Sequence, residues 1–200
     1  MRKFLHRSLL LAAALAASAP ASAQQSALTT HRNLDQLTDR AALILRGNVV
    51  SAQVEKHPQF ANLDTVVVTV RVRETLKGAA RQTHTFRQYL WDIRDRLDAN
   101  GYRKGQDLLL FLIEPNAHGL SSPAGLDQGR FRIERNAAGD EVAVNGQGNF
   151  RLFDGLAAEV AKEGTTLSPA SLRLVDAPQS GPVAVAALTR LVRELAAVDR

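Results

Sequence analysis

The stretch 65–76 constrains the fold more than any other feature, because valine alternates there with polar residues over the length of a strand. The apolar side chains that share one face are Val66, Val68, Val70 and Val72. The polar side chains on the other face include Thr69, Arg71 and Arg73. Successive side chains of a strand point to opposite faces. The valine face is therefore buried and the polar face is exposed to solvent. The pattern therefore predicts an antiparallel sheet or barrel.

Further segments with strand patterns predict a mainly β fold. These segments are 42–54, 82–90, 107–114, 129–135 and 141–144. Gly47 interrupts the first segment and predicts a bulge or sharp bend there. The continuous apolar run Leu108–Ile113 predicts a strand that is buried on both faces. The expected architecture is a five- or six-stranded antiparallel β-barrel with flanking helices.

Helix signals lie before the strands and between them. Asn33 and Gln36 have the spacing of a capping box, which predicts a short N-terminal helix through Arg40. Asp92 is a candidate cap for a second helix, over 92–99.

The C-terminal region predicts an amphipathic helix. Ser180 is its candidate cap, and Pro182 suits the first turn, where no N–H donor is needed. Its apolar stripe consists of Val185, Leu188, Leu191, Val192 and Leu195. We therefore expect a barrel domain over 33–155 and a helical extension over 156–200 that packs on it.

The N-terminal region has the pattern of a cleavable bacterial-type signal peptide. Basic residues at its start are followed by Leu9–Ala17, which contains only leucine and alanine and is too short to span a bilayer. Ala21 and Ala23 provide the small residues of a cleavage site. We expect cleavage after Ala23, a flexible leader over 24–32, and a mature protein in the periplasm or outside the cell.

Removal of residues 1–23 lowers the net positive charge of the chain. Three of the 25 basic residues lie in that segment and no acidic one does, so the mature chain has 22 basic against 20 acidic residues. A net charge of +2 instead of +5 removes the main compositional support for nucleic-acid or membrane-surface binding. The chain has no cysteine, which excludes disulfides, thiol catalysis and cysteine-ligated metals.

No motif in the sequence identifies a reaction, a metal or a cofactor. The mature chain's histidines are far apart, without zinc-ligand spacing: His31, His57, His84 and His118. The loop 115–128 contains His118, Ser121 and Ser122, but it lacks the G-x-S-x-G spacing of a hydrolase elbow, and Pro123 interrupts the start of a helix. Such loops often bind ligands, so these three residues are candidate binding residues.

The segment 86–104 is the other candidate binding region. It combines aromatic and arginine side chains, of which the candidate contact residues are Tyr89, Trp91, Arg94, Arg96 and Tyr102. These residue types stack on a protein partner or a ligand, and the alternative is that the aromatic rings fill the mouth of the barrel. Asp92, Asp95 and Asp98 would repel a phosphate backbone, so we expect a protein partner and no nucleic acid.

Three motifs in sequence order resemble bacterial exported proteins with an OB-like barrel of the TIMP/netrin type. They are ALILRGNVV at 42–50, ETLKG at 74–78 and KGQDLLLFL at 104–112. The stretch GLSSPAGLDQGRFRI at 119–133 resembles an uncharacterised proteobacterial group of this kind. Eukaryotic TIMPs inhibit metalloproteases through an N-terminal cysteine. This chain has no cysteine, and its mature form is expected to begin at Gln24. The inhibitory role of the TIMP cysteine therefore has no counterpart here.

The sequence thus favours an exported, non-enzymatic binding module with a protein partner. A protease inhibitor or modulator is the first alternative, and a hydrolase that uses the loop 115–128 is the second.

Overall fold

The computed structural model describes residues 30–90, 92–176 and 180–197. Its strands are β1 Leu43–Lys56, β2 Asp64–Lys77, β3 Thr83–Tyr89, β4 Asp107–Leu112, β5 Arg130–Arg135, β6 Glu141–Asn145 and β7 Val183–Ala184. Its α-helices are α1 Leu34–Arg40, α2 Leu156–Lys162, α3 Pro169–Val175 and α4 Val185–Ala196. Short 3-10 helices cover Ile93–Arg96, Ala99–Gly101 and Leu126–Gly129.

The strands form one antiparallel sheet in the order β3-β2-β1-β4-β5-β6-β7, so the predicted mainly β fold is confirmed. In β2, Val66, Val68 and Val70 are fully buried, as their alternation predicts. The bulge in β1 is also confirmed, because the register against β2 shifts between Arg46 and Gly47. The seventh strand, β7, is only two residues long, and no strand pattern marks it in the sequence.

The sheet is not closed into a barrel, which corrects the predicted closure. β3 and β7 are its two edges, and no described strand joins them. A closed barrel would collect the inward side chains of every strand into one core. Here β4 contributes to two cores on opposite faces. Leu108, Leu110 and Leu112 pack with β1, β2 and β3, whereas Leu109 and Phe111 pack with β5 and the helices.

The burial of β4 on both faces agrees with its continuous apolar sequence. All five of its leucine and phenylalanine side chains are at most 1 % exposed. The helices explain why the sheet stays open, because α1, α2, α3 and α4 cover the second face of the sheet instead of more strands.

The short N-terminal helix is confirmed with its capping box. Gln36 N donates to Asn33 Oδ1 at 3.0 Å, and Asn33 N donates to Gln36 Oε1 at 3.4 Å. The residues before it are held by hydrogen bonds, since Arg32 N donates to Gln128 Oε1 at 2.8 Å. The predicted signal peptide, its cleavage site and most of the predicted leader lie outside the described residues.

The C-terminal amphipathic helix is confirmed, but it begins later than predicted. α4 starts at Val185 rather than after Ser180, because Val183 and Ala184 extend along β6. All five residues of its predicted stripe are buried. Within the described part of the chain, no helix has the length and apolar character needed to cross a bilayer.

Candidate functional site

The two segments proposed as binding regions both contact the β1–β2 connection at one end of the sheet. Arg96 Nη1 lies 3.2 Å from Asp64 Oδ2, at the start of β2. His57, which directly follows β1, has its Nε2 2.9 Å from the carbonyl oxygen of His118. The fold therefore brings together segments that are distant in sequence. We call the exposed part of residues 57–64, 92–101 and 116–120 the loop surface.

The segment 92–101 is not the predicted α-helix but two short 3-10 helices with several local caps. Asp92 does act as a cap, because its Oδ1 accepts from Arg94 N at 2.8 Å. Asp98 Oδ1 accepts from Gly101 N at 3.2 Å. Ala99 and Asn100, at φ 52° and φ 55°, adopt the left-handed conformation within the second 3-10 helix. Each aspartate thus satisfies backbone donors locally, and the chain is bent rather than helical throughout.

The side chain of Arg94 also binds the carboxylate of Asp92, the capping residue. Its Nε donates to Asp92 Oδ2 at 3.0 Å. The hydrogen bonds from the Arg94 side chain and backbone lower the pKa of Asp92 to about 2. The carboxylate is therefore charged at neutral pH and accepts the hydrogen bonds of Arg94.

Tyr102 anchors the end of this segment in the protein interior. It is 2 % exposed, and its hydroxyl donates to Gln88 Oε1 at 3.0 Å. The guanidinium of Arg130 lies 4.7 Å from the ring centre. Burial raises the pKa of Tyr102 to about 12, so the hydroxyl remains a donor. Tyr102 therefore packs in the protein interior rather than on the loop surface.

Arg130 connects this buried ring to the backbone of the loop. Its Nη1 donates to the Asn100 carbonyl at 2.6 Å, and its Nη2 donates to Asp127 Oδ1 at 2.6 Å. The segment 92–101 is thereby fixed to β5 as well as to β2. The sequence did not indicate this role of Arg130, since the two positions are far apart along the chain.

The exposed side chains of the loop surface include apolar and cationic ones, together with Asp98 and the amides of Gln59 and Asn62. Leu97 is 90 % exposed and Phe60 is 42 % exposed. The side chains of Arg94 and Arg96 are 73 % and 43 % exposed. Tyr89 is half-buried at the end of β3, and Trp91 lies outside the described residues.

Phe60 belongs to an aromatic cluster that sequence patterns do not reveal. Its ring stacks on His57 with centroids 5.0 Å apart and meets His118 edge-on at 5.1 Å. Gln59 N donates to His57 Nδ1 at 3.2 Å, so His57 Nε2 is the donor to the His118 carbonyl. In the sequence, His57-Pro58 predicts only a turn after β1. It does not predict that His57 and Phe60 contact His118.

Of the two serines in the loop 115–128, Ser121 is buried and Ser122 is half-buried. Ser121 is 5 % exposed, and its hydroxyl donates to the Ile113 carbonyl at 2.7 Å. Ser122 is half-buried, and its carbonyl accepts from Ile113 N at 3.0 Å. These contacts attach the loop to Ile113, directly after β4, through the side chain of Ser121 and the backbone of Ser122.

A separate cleft of about 380 Å³ lies between β3 and the segment that follows β4. Its polar lining includes Arg81, His84, Arg87 and Glu114. Arg81 Nη1 donates to His84 Nδ1 at 2.9 Å, which places the ring proton of neutral His84 on Nε2. Burial, together with the positive charge of Arg81, lowers the pKa of His84 below 6.5.

This lowered pKa predicts that part of the acid sensitivity of the fold comes from His84. The unfolded chain binds the proton more readily than the folded protein, so the free energy of unfolding falls as the pH drops through 6.5. We expect His84→Gln to reduce the loss of stability between pH 7.5 and pH 5.5, measured by urea denaturation. An unchanged pH dependence in His84→Gln would contradict this assignment.

In the described parts of the chain, no group of three or more histidine, aspartate or glutamate side chains is arranged to hold a metal ion. The arrangements described above are caps, ion pairs and one partly exposed surface. Comparisons with protein-family models, curated proteins and solved structures find no match for this chain. The resemblance to the TIMP/netrin type thus remains a prediction from the sequence.

Proposed function

We propose that this protein is a non-enzymatic binding module that acts outside the cytoplasm and engages a protein partner through the loop surface. The observation that carries the proposal is Leu97, which is 90 % exposed on a segment fixed at several points. The location rests on the signal-peptide pattern of residues 1–23. The resemblance to exported barrel proteins supports the same location.

The fixed backbone is what makes Leu97 suitable for binding. Asp92 and Asp98 cap the turns around it, and Arg130 bonds to the carbonyl of Asn100. A side chain presented on an ordered backbone loses little conformational entropy on association, and this raises affinity. We infer that Leu97 inserts into an apolar pocket of the partner.

The surrounding side chains favour a protein over a nucleic acid. Arg94 pairs with Asp92, and Arg96 pairs with Asp64. A nucleic-acid site needs an excess of unpaired cations to displace the counterions of phosphates. Arginine and aromatic side chains around an apolar centre are instead typical of protein interfaces.

We expect Leu97→Asp to weaken partner binding by roughly thirtyfold, since loss of a central interface residue costs about 2 kcal/mol. The partner is first captured from periplasmic extract and culture medium with tagged mature protein and identified by mass spectrometry. Its affinity is then measured by titration against the wild type and the variants. Leu97 is exposed, so the urea midpoint should not change.

Leu172→Asp is the matched control, because Leu172 is also an exposed leucine, at 42 %, but lies on α3 away from the loop surface. It should bind the partner like the wild type. If the wild type and both variants bind the partner with equal affinity, the partner does not bind at the loop surface. Turnover of a substrate that a single substitution abolishes, without any recovered partner, would show that the protein is an enzyme instead.

A further inference from the structure

The outer edge of β3 carries backbone groups that no described strand uses, since β3 ends the sheet on its side. Its even-numbered residues bond to β2, because Val72 N donates to the Gln82 carbonyl and Leu90 N donates to the Asp64 carbonyl. Antiparallel pairing alternates in this way. The N–H and C=O groups of the odd-numbered residues therefore point to the outer edge.

Another described segment covers only the C-terminal part of this edge. Ser121 N donates to the Arg87 carbonyl at 2.9 Å, and Leu120 forms a parallel bridge with Arg87. No such contact with a described residue reaches the outward groups of Thr83 and Thr85, and both residues are exposed. The first half of β3 is thus open to one more strand.

The cleft of about 380 Å³ lies beside this open half, because Arg81, His84 and Thr85 line it. Its other wall includes Leu43 and Leu112. A strand added to β3 would direct every second side chain into the cleft and the others towards the polar outer face. The cleft would therefore accept an apolar side chain of the added strand.

The charges around the open edge indicate what the added strand carries. Arg81 and Arg71 are both exposed, and Arg71 lies opposite Thr83 in the register. Among the described residues, neither forms a salt bridge. Glu114 is the acidic residue of the cleft lining, on the wall that follows β4. Two available cations at the start of β3 complement a carboxylate near Arg81.

We propose that the open edge of β3 binds an extended segment of a partner protein as an added strand, with an apolar side chain in the cleft and an acidic side chain near Arg81. This site goes beyond the loop surface. It is centred on Arg81, Thr83 and Thr85, which do not belong to the loop surface, although Gly119 of that surface also lines the cleft. The two proposals can therefore be tested with separate variants.

A second copy of this chain is a poorer occupant of the same edge. Because the segment around Leu120 already covers Arg87, two copies could pair only over the open half of β3, which would bring Arg81 of both copies together with no carboxylate on either strand. Like charges directly opposite each other in a sheet are destabilising. The charges thus favour an acidic segment over self-association.

The test uses the mature protein and a fluorescein-labelled peptide in which valine alternates with glutamate. We expect saturable binding by fluorescence anisotropy, with amide shifts in ¹⁵N NMR spectra largest at Thr83 and Thr85. Arg81→Glu should weaken binding by about tenfold, because a charge-assisted hydrogen bond is lost. The same variant should strengthen binding of the matched valine–lysine peptide.

Two controls keep the outcome clear. Thr85→Pro removes one outward N–H at an edge position that tolerates proline, and it should also weaken binding. Leu97→Asp should leave peptide binding unchanged, so failure of the loop-surface proposal does not affect this one. The proposal is overturned by absent binding, by equal binding of both peptides to the wild type, or by concentration-dependent dimerisation that the peptide does not disrupt.

Discussion

Replacement of Tyr102 by alanine is expected to lower the free energy of unfolding by about 3–5 kcal/mol, the range for large buried aromatic side chains. The ring is 2 % exposed and contacts Phe86 edge-on, with centroids 5.8 Å apart. Its loss leaves a cavity and removes the aromatic face under Arg130. Urea denaturation of the mature variant measures this cost.

The same substitution should loosen the loop surface without changing any exposed side chain. Arg130 would lose the ring that positions it, and Asn100 would lose a fixed donor. We expect faster amide hydrogen exchange over 93–101 and weaker partner binding. Suppose instead that the free energy of unfolding falls while amide hydrogen exchange over 93–101 stays slow. Tyr102 would then stabilise only the core and would not fix the backbone around Leu97.

Tyr102→Phe separates the hydroxyl from the ring. The phenylalanine ring keeps its packing, but the buried Gln88 amide oxygen loses its donor. We expect a cost of about 1–3 kcal/mol for this unsatisfied group. Hydrogen exchange over 93–101 should stay close to that of the wild type, because Arg130 still lies over an aromatic ring.

Much of the fold could be predicted because the relevant signals are local. The valine alternation in β2 and the capping box at Asn33 each depend on residues within a few positions of one another. The continuous apolar run of β4 also correctly predicted burial on both faces. The closure of the sheet could not be predicted, because it depends on whether helices or further strands cover the second face.

Of the two failures at the element level, one arises from a tertiary contact and the other from local caps. Ser180 and Pro182 suit a helix start, but Val183 gains ladder hydrogen bonds to β6 and delays α4. The spacing of 92–99 suits one helix, but the caps of Asp92 and Asp98 divide it.

The candidate sites show the same division between local and distant information. Arg94 and Arg96 could be singled out because residue types alone favour an interface. Phe60 could not, because it joins the loop surface only through the chain reversal between β1 and β2. The open edge of β3 is likewise a property of sheet order, which no single segment of sequence contains.

Replacement of Gly47 by alanine is the second substitution with a large expected effect. A Cβ atom there would lie 2.4 Å from the Arg71 carbonyl oxygen and 2.6 Å from Val70 Cγ1. Contacts this short require movement of the β2 backbone, and Val70 is fully buried in the core. We expect a loss of about 3 kcal/mol, near the upper end of the usual overpacking cost.

Gln53→Ala is the control for this substitution, because Gln53 is an exposed residue of the same strand. It should change the free energy of unfolding by less than about 0.5 kcal/mol. The bulge at Gly47 also bends β1 between the two cores, so Gly47→Ala should raise hydrogen exchange in both β1 and β2. Wild-type stability in Gly47→Ala would contradict the close packing of Gly47 against Val70 and Arg71.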